Sequence, residues 1–298
     1  MSRVPILNIL CGVPASGKST YAKTLEAKGY VVLSSDKLRK ELFGDENDQT
    51  HNEEVFNTLY NRAQILLENG YDVVIDATNI NIKSRRKALS HFNRVNCIKV
   101  CTVICTPYAT LIENDRLRDR QVGEEVINKY IQSFEIPMRF EGFDYIEFYY
   151  PFEDDLANLD KLLVSLLNYD QNNHHHENTL GVHCVLSSNR YILESDDYNK
   201  DMANALLYHD LGKILTRSED DNGESHYYEH HKAGAYLCVC SNEFRRGKLS
   251  QDSVFLINHH MRPYFWKDDK THQKYKGVFG DRLYNLLMEF NKYDREAH

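Results

Sequence analysis

Read from its N-terminus, the chain alternates short apolar runs with longer stretches in which apolar residues recur every three or four positions. Ile6-Leu7-Asn8-Ile9-Leu10 has the pattern of a buried strand, followed by a glycine-rich turn and a helix over about Ser19–Lys28. Tyr30–Leu33, Asp72–Ile75 and Ile98–Ile104 predict three further strands, the last rich in β-branched residues. Helical spacing fills the gaps between them. This order predicts an α/β domain on a mostly parallel sheet. Further along, strand-like runs become scarce. Met202–Leu215, Val254–Ile257 with its flanks, and Leu283–Phe290 carry apolar residues at helical spacing and predict a compact all-α domain. The polar join Asp170-Gln171-Asn172-Asn173 sets the expected division into residues 1–168 and 169–298. No internal repeat is visible.

Composition narrows the class. At 298 residues, 42% hydrophobic and 27% charged, the chain is too apolar for a disordered protein and long enough for two domains. Only 14 Gly and 6 Pro exclude collagen-like and low-complexity architectures. No apolar run reaches the roughly 18 residues of a membrane span, and Met1-Ser2-Arg3 leads into a strand rather than a signal peptide. The expectation is a soluble, cytoplasmic protein with no membrane partner. Seven cysteines without a CxxC argue for free thiols, with Cys97, Cys101 and Cys105 in or beside a strand. A net charge of -8 argues against a general polyanion-coating surface, so any nucleic acid contact must come from a local basic patch. Histidine divides the chain where charge does not: of 14, only His51 and His91 precede His174.

Gly12-Val13-Pro14-Ala15-Ser16-Gly17-Lys18-Ser19 fits GxxxxGK[ST] and has the context that pattern requires, a strand before and a helix after. In such a loop the backbone N–H groups and the helix N-terminus cradle phosphates. Gly12, Ser16, Gly17, Lys18, Ser19 and Thr20 are the expected ATP-binding residues. Lys18 would neutralise β/γ oxygens and the Ser19 hydroxyl would hold Mg²⁺. Asp36, after the second strand, can accept the proton of an attacking hydroxyl, and Arg39 follows on the same helical face. The plainer alternative is a helix cap and a surface charge. Asp76 ends the third strand, where a second acidic residue sits near the metal. Arg116, Arg118 and Arg120 follow the fourth strand, where a lid can bring cations to the transferring phosphoryl group. Arg116 and Arg120 are expected to be catalytic, although which of the three reaches the phosphate is open.

GVPASGKST, SDKLR, IDATN, NDRLRDRQVGEEVI and the trailing FEIPMRFEGFDYI resemble the kinase domain of phage-type polynucleotide kinases, over about residues 5–150. The resemblance implies that Asp36 is the general base for a 5′-hydroxyl. It also implies that Arg39 holds the acceptor's neighbouring phosphate, and that lid arginines stabilise the transition state. Related modules phosphorylate small molecules.

In the histidine-rich part, His183, His209-Asp210, His230-His231, His259-His260 and Asp294 form an ordered set that helices could bring onto one or two divalent metals. Metals there would activate water and clamp a phosphate. TLGVHCV, ALLYHDLGK, HYYEHHKAGA, INHHMRPY and NKYDREAH resemble the HD phosphohydrolase superfamily, a helical metal-dependent fold, over about residues 174–298. The resemblance implies that His183, His209, Asp210 and Asp294 ligate one metal. It implies that His230 with His259 or His260 permit a second, and that Lys213 contacts a substrate phosphate. His175-His176 match a further pair seen in some members, or belong to a polar linker. Mn²⁺, Mg²⁺, Fe²⁺, Co²⁺ and Ni²⁺ all suit such ligands.

A kinase and a phosphoesterase on one chain resemble enzymes that heal broken nucleic acid ends. The expected activities are 5′-phosphorylation of RNA or DNA and removal of 2′,3′-cyclic, 2′- or 3′-phosphates, with a separate ligase as partner. A small-molecule or nucleotide kinase joined to a nucleotide phosphohydrolase is one alternative, and a non-catalytic end-binding or nucleotide-sensing protein is another. Lys83, Arg85, Arg86 and Lys87 could track a phosphate backbone or form a solvated face. Tyr264, Phe265 and Trp266 could stack bases or pack a core.

Overall fold

The computed structural model describes residues 3–172 and 178–296, so His175 and His176 lie outside the described residues. The chain divides into two compact units, Met1–Gly123 with Pro137–Pro151, and Glu124–Ile136 with Phe152–His298. Among the described residues no helix is long and apolar enough to cross a membrane.

In the first unit β1 (Ile6–Cys11), β2 (Val31–Ser34), β3 (Val73–Asp76), β4 (Ile98–Ile104) and β5 (Tyr145–Tyr149) form one sheet. Its order is β2-β3-β1-β4-β5 and every neighbouring pair is parallel. Helices α1 (Lys18–Glu26), α2 (Ser35–Phe43), α3 (Asn52–Glu68), α4 (Ile82–Ser90) and α5 (Tyr108–Arg116) make the crossovers. Leu7, Ile9, Leu10 and Cys11 of the central strand are fully buried, as a strand covered on both faces requires. Because β1 lies between β3 and β4, the chain leaves its carboxyl end at the point where strand order reverses, the usual place for a ligand crevice. The edge strand β5 alternates between exposed and half-buried positions. Its five residues carry no buried apolar run, which is why the sequence pattern predicts four strands and not five.

The second unit contains α6 (Glu124–Ile131), α7 (Leu159–Ser165), α8 (Leu180–Glu194), α9 (Lys200–Tyr208), α10 (His230–Val239), α11 (Asn242–Arg245), α12 (Gln251–His259) and α13 (Asp269–Arg295). Two features differ from expectation. The unit is not all-α: β6 (Arg217–Glu219) and β7 (Ser225–Tyr227) form an antiparallel hairpin just before α10. These strands have three residues each, too short for a periodic signal. The division also falls elsewhere than after residue 168, because residues 124–136 pack with the helical unit. Ile127 and Ile131 are buried, Phe134 meets Tyr236 edge-on at 5.4 Å, and the buried Asn258 carboxamide bonds both Ile136 N (2.8 Å) and Phe134 O (3.1 Å). Partners more than 120 positions apart in sequence leave no trace in local pattern.

Between α9 and α10 the chain makes a 3₁₀ turn, Leu211–Leu215, that lies directly on α10. A Cβ on Gly212 would come within 2.1 Å of His230 O and 2.3 Å of Gly234 N. Only glycine allows this approach, and the approach brings the 209–213 segment to the first turn of α10. Gly212→Ala should therefore destabilise the protein by about 3 kcal/mol, the upper end for overpacking. Gly277→Ala, where an added methyl meets nothing within 4 Å, should gain about 0.5–1 kcal/mol as an ordinary helix substitution. Urea unfolding of both variants checks this; equal effects would contradict the close-approach argument.

Candidate functional site

The phosphate loop joins β1 to α1. Ala15 (φ 63°) and Gly17 (φ 87°) are left-handed, which turns successive N–H groups inward as an anion-binding nest. A Cβ on Gly12 would meet Ser16 Oγ at 2.8 Å and Lys18 Cγ at 3.3 Å, so the backbone closes tightly there. The loop is held from outside: Gly12 N donates to Thr78 O (3.0 Å), Thr106 Oγ1 to Ser16 O (2.8 Å) and Asn114 Nδ2 to Ala15 O (3.1 Å). The α1 N-terminus has neither a side-chain cap nor an acidic residue in its first turn, leaving its N–H groups for a ligand. The buried Ser16 Oγ has no hydrogen-bond partner among the described residues. Lys18 Nζ donates to Val13 O at 2.8 Å. Burial pushes its pKa down to about 8, against the opposing pull of Asp76. Ser19 Oγ donates to Asp76 Oδ2 at 2.9 Å, so hydroxyl and carboxylate meet where Mg²⁺ would bind. Burial raises the Asp76 carboxyl while Lys18 and Ser19 lower it. Thr20 is exposed on α1.

Asp36 stands half-exposed in the first turn of α2, with Oδ1 2.6 Å from Arg39 Nη1. Arg39 is buried. It also donates to Asn52 Oδ1 from Nη2 (2.8 Å) and Nε (3.3 Å), and it lies 5.9 Å from the Phe56 ring. The structure thus uses Arg39 to hold Asp36, where an acceptor phosphate was expected. In the segment after α5, Arg116 is exposed, Arg118 lies 3.6 Å from Asp115 and Arg120 3.3 Å from Glu46. The charge of Arg118 reaches Lys18 and adds to the effect of burial in lowering its pKa. The buried Asp115 fixes this segment by accepting from the Val122 and Gly123 amides. The basic cluster on α4 is not a continuous surface: Arg85 is fully buried in a fork with Glu141 at 2.7 and 2.9 Å, and Arg86 lies against Phe140.

In the helical unit His183 of α8, His209 and Asp210 after α9, His230 of α10, His260 after α12 and Asp294 of α13 converge, all buried. The Asp210 carboxylate divides the cluster. Its Oδ2 faces His183 (3.8 Å) and His209 (3.6 Å), while its Oδ1 faces His230 (3.1 Å) and His260 (3.7 Å). Asp294 Oδ1 completes the first side at 3.4 Å from His183 and 3.0 Å from His209. Two groups result that could each hold a metal ion, His183-His209-Asp210 and Asp210-His230-His260.

Tautomers are fixed from behind. Nδ1 of His209, His230 and His260 lies 2.8 Å from the carbonyls of Leu206, Tyr227 and Ile257 respectively. A carbonyl only accepts, so each Nδ1 carries a proton and a neutral ring in this tautomer turns its Nε2 lone pair into the cluster. His209 differs, because against the pull of burial Asp210 and Asp294 hold it well above the usual imidazole range. His230 and His260 then face each other Nε2 to Nε2 at 3.1 Å. Burial and the neighbouring imidazoles push His260 down to about 3, so it is neutral at ordinary pH. Two opposed lone pairs at that distance call for a cation between them. Burial alone would raise Asp210 and Asp294, but Lys213 and His209 hold the former, and His209 and His183 the latter, well below the usual carboxylate range. Lys213 Nζ is 2.7 Å from both Asp210 Oδ2 and Gln171 Oε1.

His259 is not part of this arrangement. Its Nδ1 accepts from Arg262 Nε at 2.8 Å and its ring stacks on Phe279, so the doubled histidine resolves in favour of His260. Three neighbours take roles that the sequence pattern does not assign: Gln171 stands there only in a polar join, Tyr264 as a residue to stack a base or pack a core, and His231 in the ordered histidine set. Gln171 holds Lys213, Tyr264 donates to Asp294 Oδ2 at 3.1 Å, and His231 lines the cavity beside His230.

Residues 7–137 match the model of the AAA domain family. They form a P-loop kinase domain. Over 139 residues the chain is 26% identical to an L-seryl-tRNA(Sec) kinase of Methanococcus maripaludis, 44% of this chain and 53% of that protein. The chain thus spans about half the length of this curated relative. Among solved structures, a chain in a Pnkp1/Rnl/Hen1 complex is 27% identical with a TM-score of 0.36, covering 42% of this chain and 43% of its own. A gluconokinase from Sinorhizobium meliloti is 18% identical with a TM-score of 0.37, covering 50% and 83%.

A P-loop kinase implies ATP and Mg²⁺, and the kinase domain's Lys18 gives their binding a pH signature. Phosphate charge raises a lysine whose free value is about 8, so above that pH ATP binding must take up a proton. Calorimetry at about pH 8.5 in two buffers of different ionisation enthalpy should show uptake of part of one proton. Lys18→Met should abolish it. Equal uptake by both proteins would contradict the assignment.

Proposed function

We propose that this chain heals nucleic acid ends: the kinase domain phosphorylates a 5′-hydroxyl, and the helical unit is an HD-type phosphohydrolase that clears 2′,3′-cyclic, 2′- or 3′-phosphates. The observation that carries the second activity is the pair of opposed Nε2 lone pairs beside the Asp210 carboxylate. Neutral imidazoles with fixed tautomers and buried carboxylates are the donor set of a divalent metal centre. His183, His209, Asp210 and Asp294 would hold one ion, and Asp210, His230 and His260 a second. Ions held there would supply a hydroxide from bound water and neutralise phosphate oxygens. Lys213 offers its N–H groups to the phosphate from the Asp210 side, and Tyr264 fixes Asp294. Attack at phosphorus breaks one P–O bond to the ribose: a cyclic ester opens to a 2′- or 3′-monophosphate, and a monophosphate leaves a free hydroxyl with inorganic phosphate.

In the kinase domain, Asp36 takes the proton of the acceptor hydroxyl as its oxygen attacks the γ-phosphorus. Arg39 and Asn52 keep that carboxylate in place. Lys18 and the loop amides hold the β/γ oxygens, and the arginine segment, Arg118 foremost, balances charge as ADP leaves. Support for an RNA-borne acceptor comes from the curated relative, whose name makes it a kinase of an aminoacylated tRNA. A ligase acting on the healed ends would be the natural partner.

The test supplies γ-labelled ATP and Mg²⁺ with a 5′-hydroxyl RNA, its DNA counterpart or free nucleosides, and separately Mn²⁺ with a 3′-phosphate RNA. Asp36→Ala should cut label transfer at least about 100-fold and spare phosphate release. Asp210→Ala should do the reverse. Label on free nucleosides alone would place the protein in nucleotide metabolism and overturn the end-healing reading.

A further inference from the structure

The metal-ligand cluster opens into a cavity of about 680 Å³, far more space than a phosphate group fills and within the range of roughly 300–1,000 Å³ that encloses a small organic ligand. Its floor holds His183, Asp210, His230, His260 and Asp294, with Lys213. Its outer wall is aromatic. Phe265 is 72% exposed and Tyr228 69% exposed, and both line this one cavity together with Tyr264 and Met261. Exposed aromatics scattered singly need no account, but two at one opening do.

Both rings are presented rather than packed. Tyr228 follows the β7 hairpin strand and stacks one face on His226, with ring centroids 5.6 Å apart and planes at 15°, so its orientation is fixed while most of the residue stays open. Phe265 ends the short 3₁₀ turn Arg262–Phe265 and has no aromatic partner among the described residues. By contrast the next residue, Trp266, is buried against Tyr275 at 4.7 Å. The turn therefore divides its aromatics: Trp266 anchors it and Phe265 is left at the opening. Tyr264 links the two zones, its hydroxyl on Asp294 and its ring under the Arg295 guanidinium at 5.8 Å.

We infer that Tyr228 and Phe265 form a stacking site for the base of a nucleoside whose phosphate ester lies on the cluster. The inference rests on the phosphohydrolase reading above and adds the residues that would recognise the nucleoside, so that the site selects a phosphorylated nucleoside over other phosphate esters. An aromatic platform takes any of the bases, because each has a π face, so the site selects nucleosides without reading sequence. The same chemistry is present in a strand end and in a free nucleotide.

The test uses the Mn²⁺-loaded full chain with three esters: a 3′-phosphate oligonucleotide, a nucleoside 3′-monophosphate and 2-glycerophosphate. The kcat/KM preference for the nucleotides over glycerophosphate should fall at least about tenfold in Phe265→Ala and in Tyr228→Ala, mainly through KM, and return in Phe265→Trp. A strand-end site prefers the oligonucleotide, whereas a free-nucleotide site treats the monophosphate as well or better. An unchanged preference in both alanine variants overturns the inference. Calorimetric binding of the monophosphate against inorganic phosphate provides a readout without turnover. Wild type should bind the nucleotide at least about tenfold more tightly, and Phe265→Ala should lose that margin. Tighter nucleotide binding with no hydrolysis of any ester would remove the phosphohydrolase reading and keep the stacking site. Equal binding of the two ligands would remove the stacking site whatever is hydrolysed.

Discussion

A carboxylate taken out of water must find compensating positive charge or hydrogen bonds, or else give up its ionisation, and the position of Asp210 follows from that constraint. It is 3% exposed, and Lys213, His230, His209, His260 and His183 stand around it at 2.7 to 3.8 Å. Those partners arrive on α8, α10, the end of α12 and the turn after α9, so satisfying one side chain brings four parts of the chain to one point. The same constraint shapes the kinase domain on a smaller scale. Arg85 and Glu141, both fully buried at the side chain, tie α4 to the segment after residue 137. Lys18 and Asp76 oppose each other across the phosphate loop. Both sites are held together by charges that could not be buried singly.

The sequence made the interior of the kinase domain legible because its central strands are buried on both faces and therefore read as unbroken apolar runs. The phosphate loop was legible for a different reason: its glycines answer local backbone needs, and local needs leave local motifs. Gly12 and Gly17 are such residues, one at a close approach and one left-handed. What stayed hidden depends on distant partners. The edge strand Tyr145–Tyr149 has no buried face of its own, and residues 124–136 join the helical unit through Asn258 and Tyr236. The order of histidines was readable, but the choice within His259-His260 was not. That choice turns on Ile257 O accepting from His260 Nδ1 while Arg262 occupies His259. Arg39 and Arg85 show the converse limit, since an arginine's sequence position says nothing of whether a carboxylate has already claimed it.

The kinase domain and the helical unit divide phosphate chemistry between them in the proposed account. The first uses a nest of backbone amides and a lysine to hold a phosphate that is to be transferred. The second uses imidazole lone pairs aimed at cations that would hold a phosphate to be removed. Only the second strategy calls for imidazole, which is why histidine divides the chain where net charge does not: 12 of 14 histidines lie from His174 onward.

The account depends most on cations standing between the opposed imidazoles. Anomalous diffraction from crystals of the full chain soaked in Mn²⁺ tests this directly. Two peaks flanking the Asp210 carboxylate are expected, one against His183, His209 and Asp294 and one against His230 and His260. A single peak would contradict the two-ion arrangement, and none within this cluster would contradict the metal centre itself.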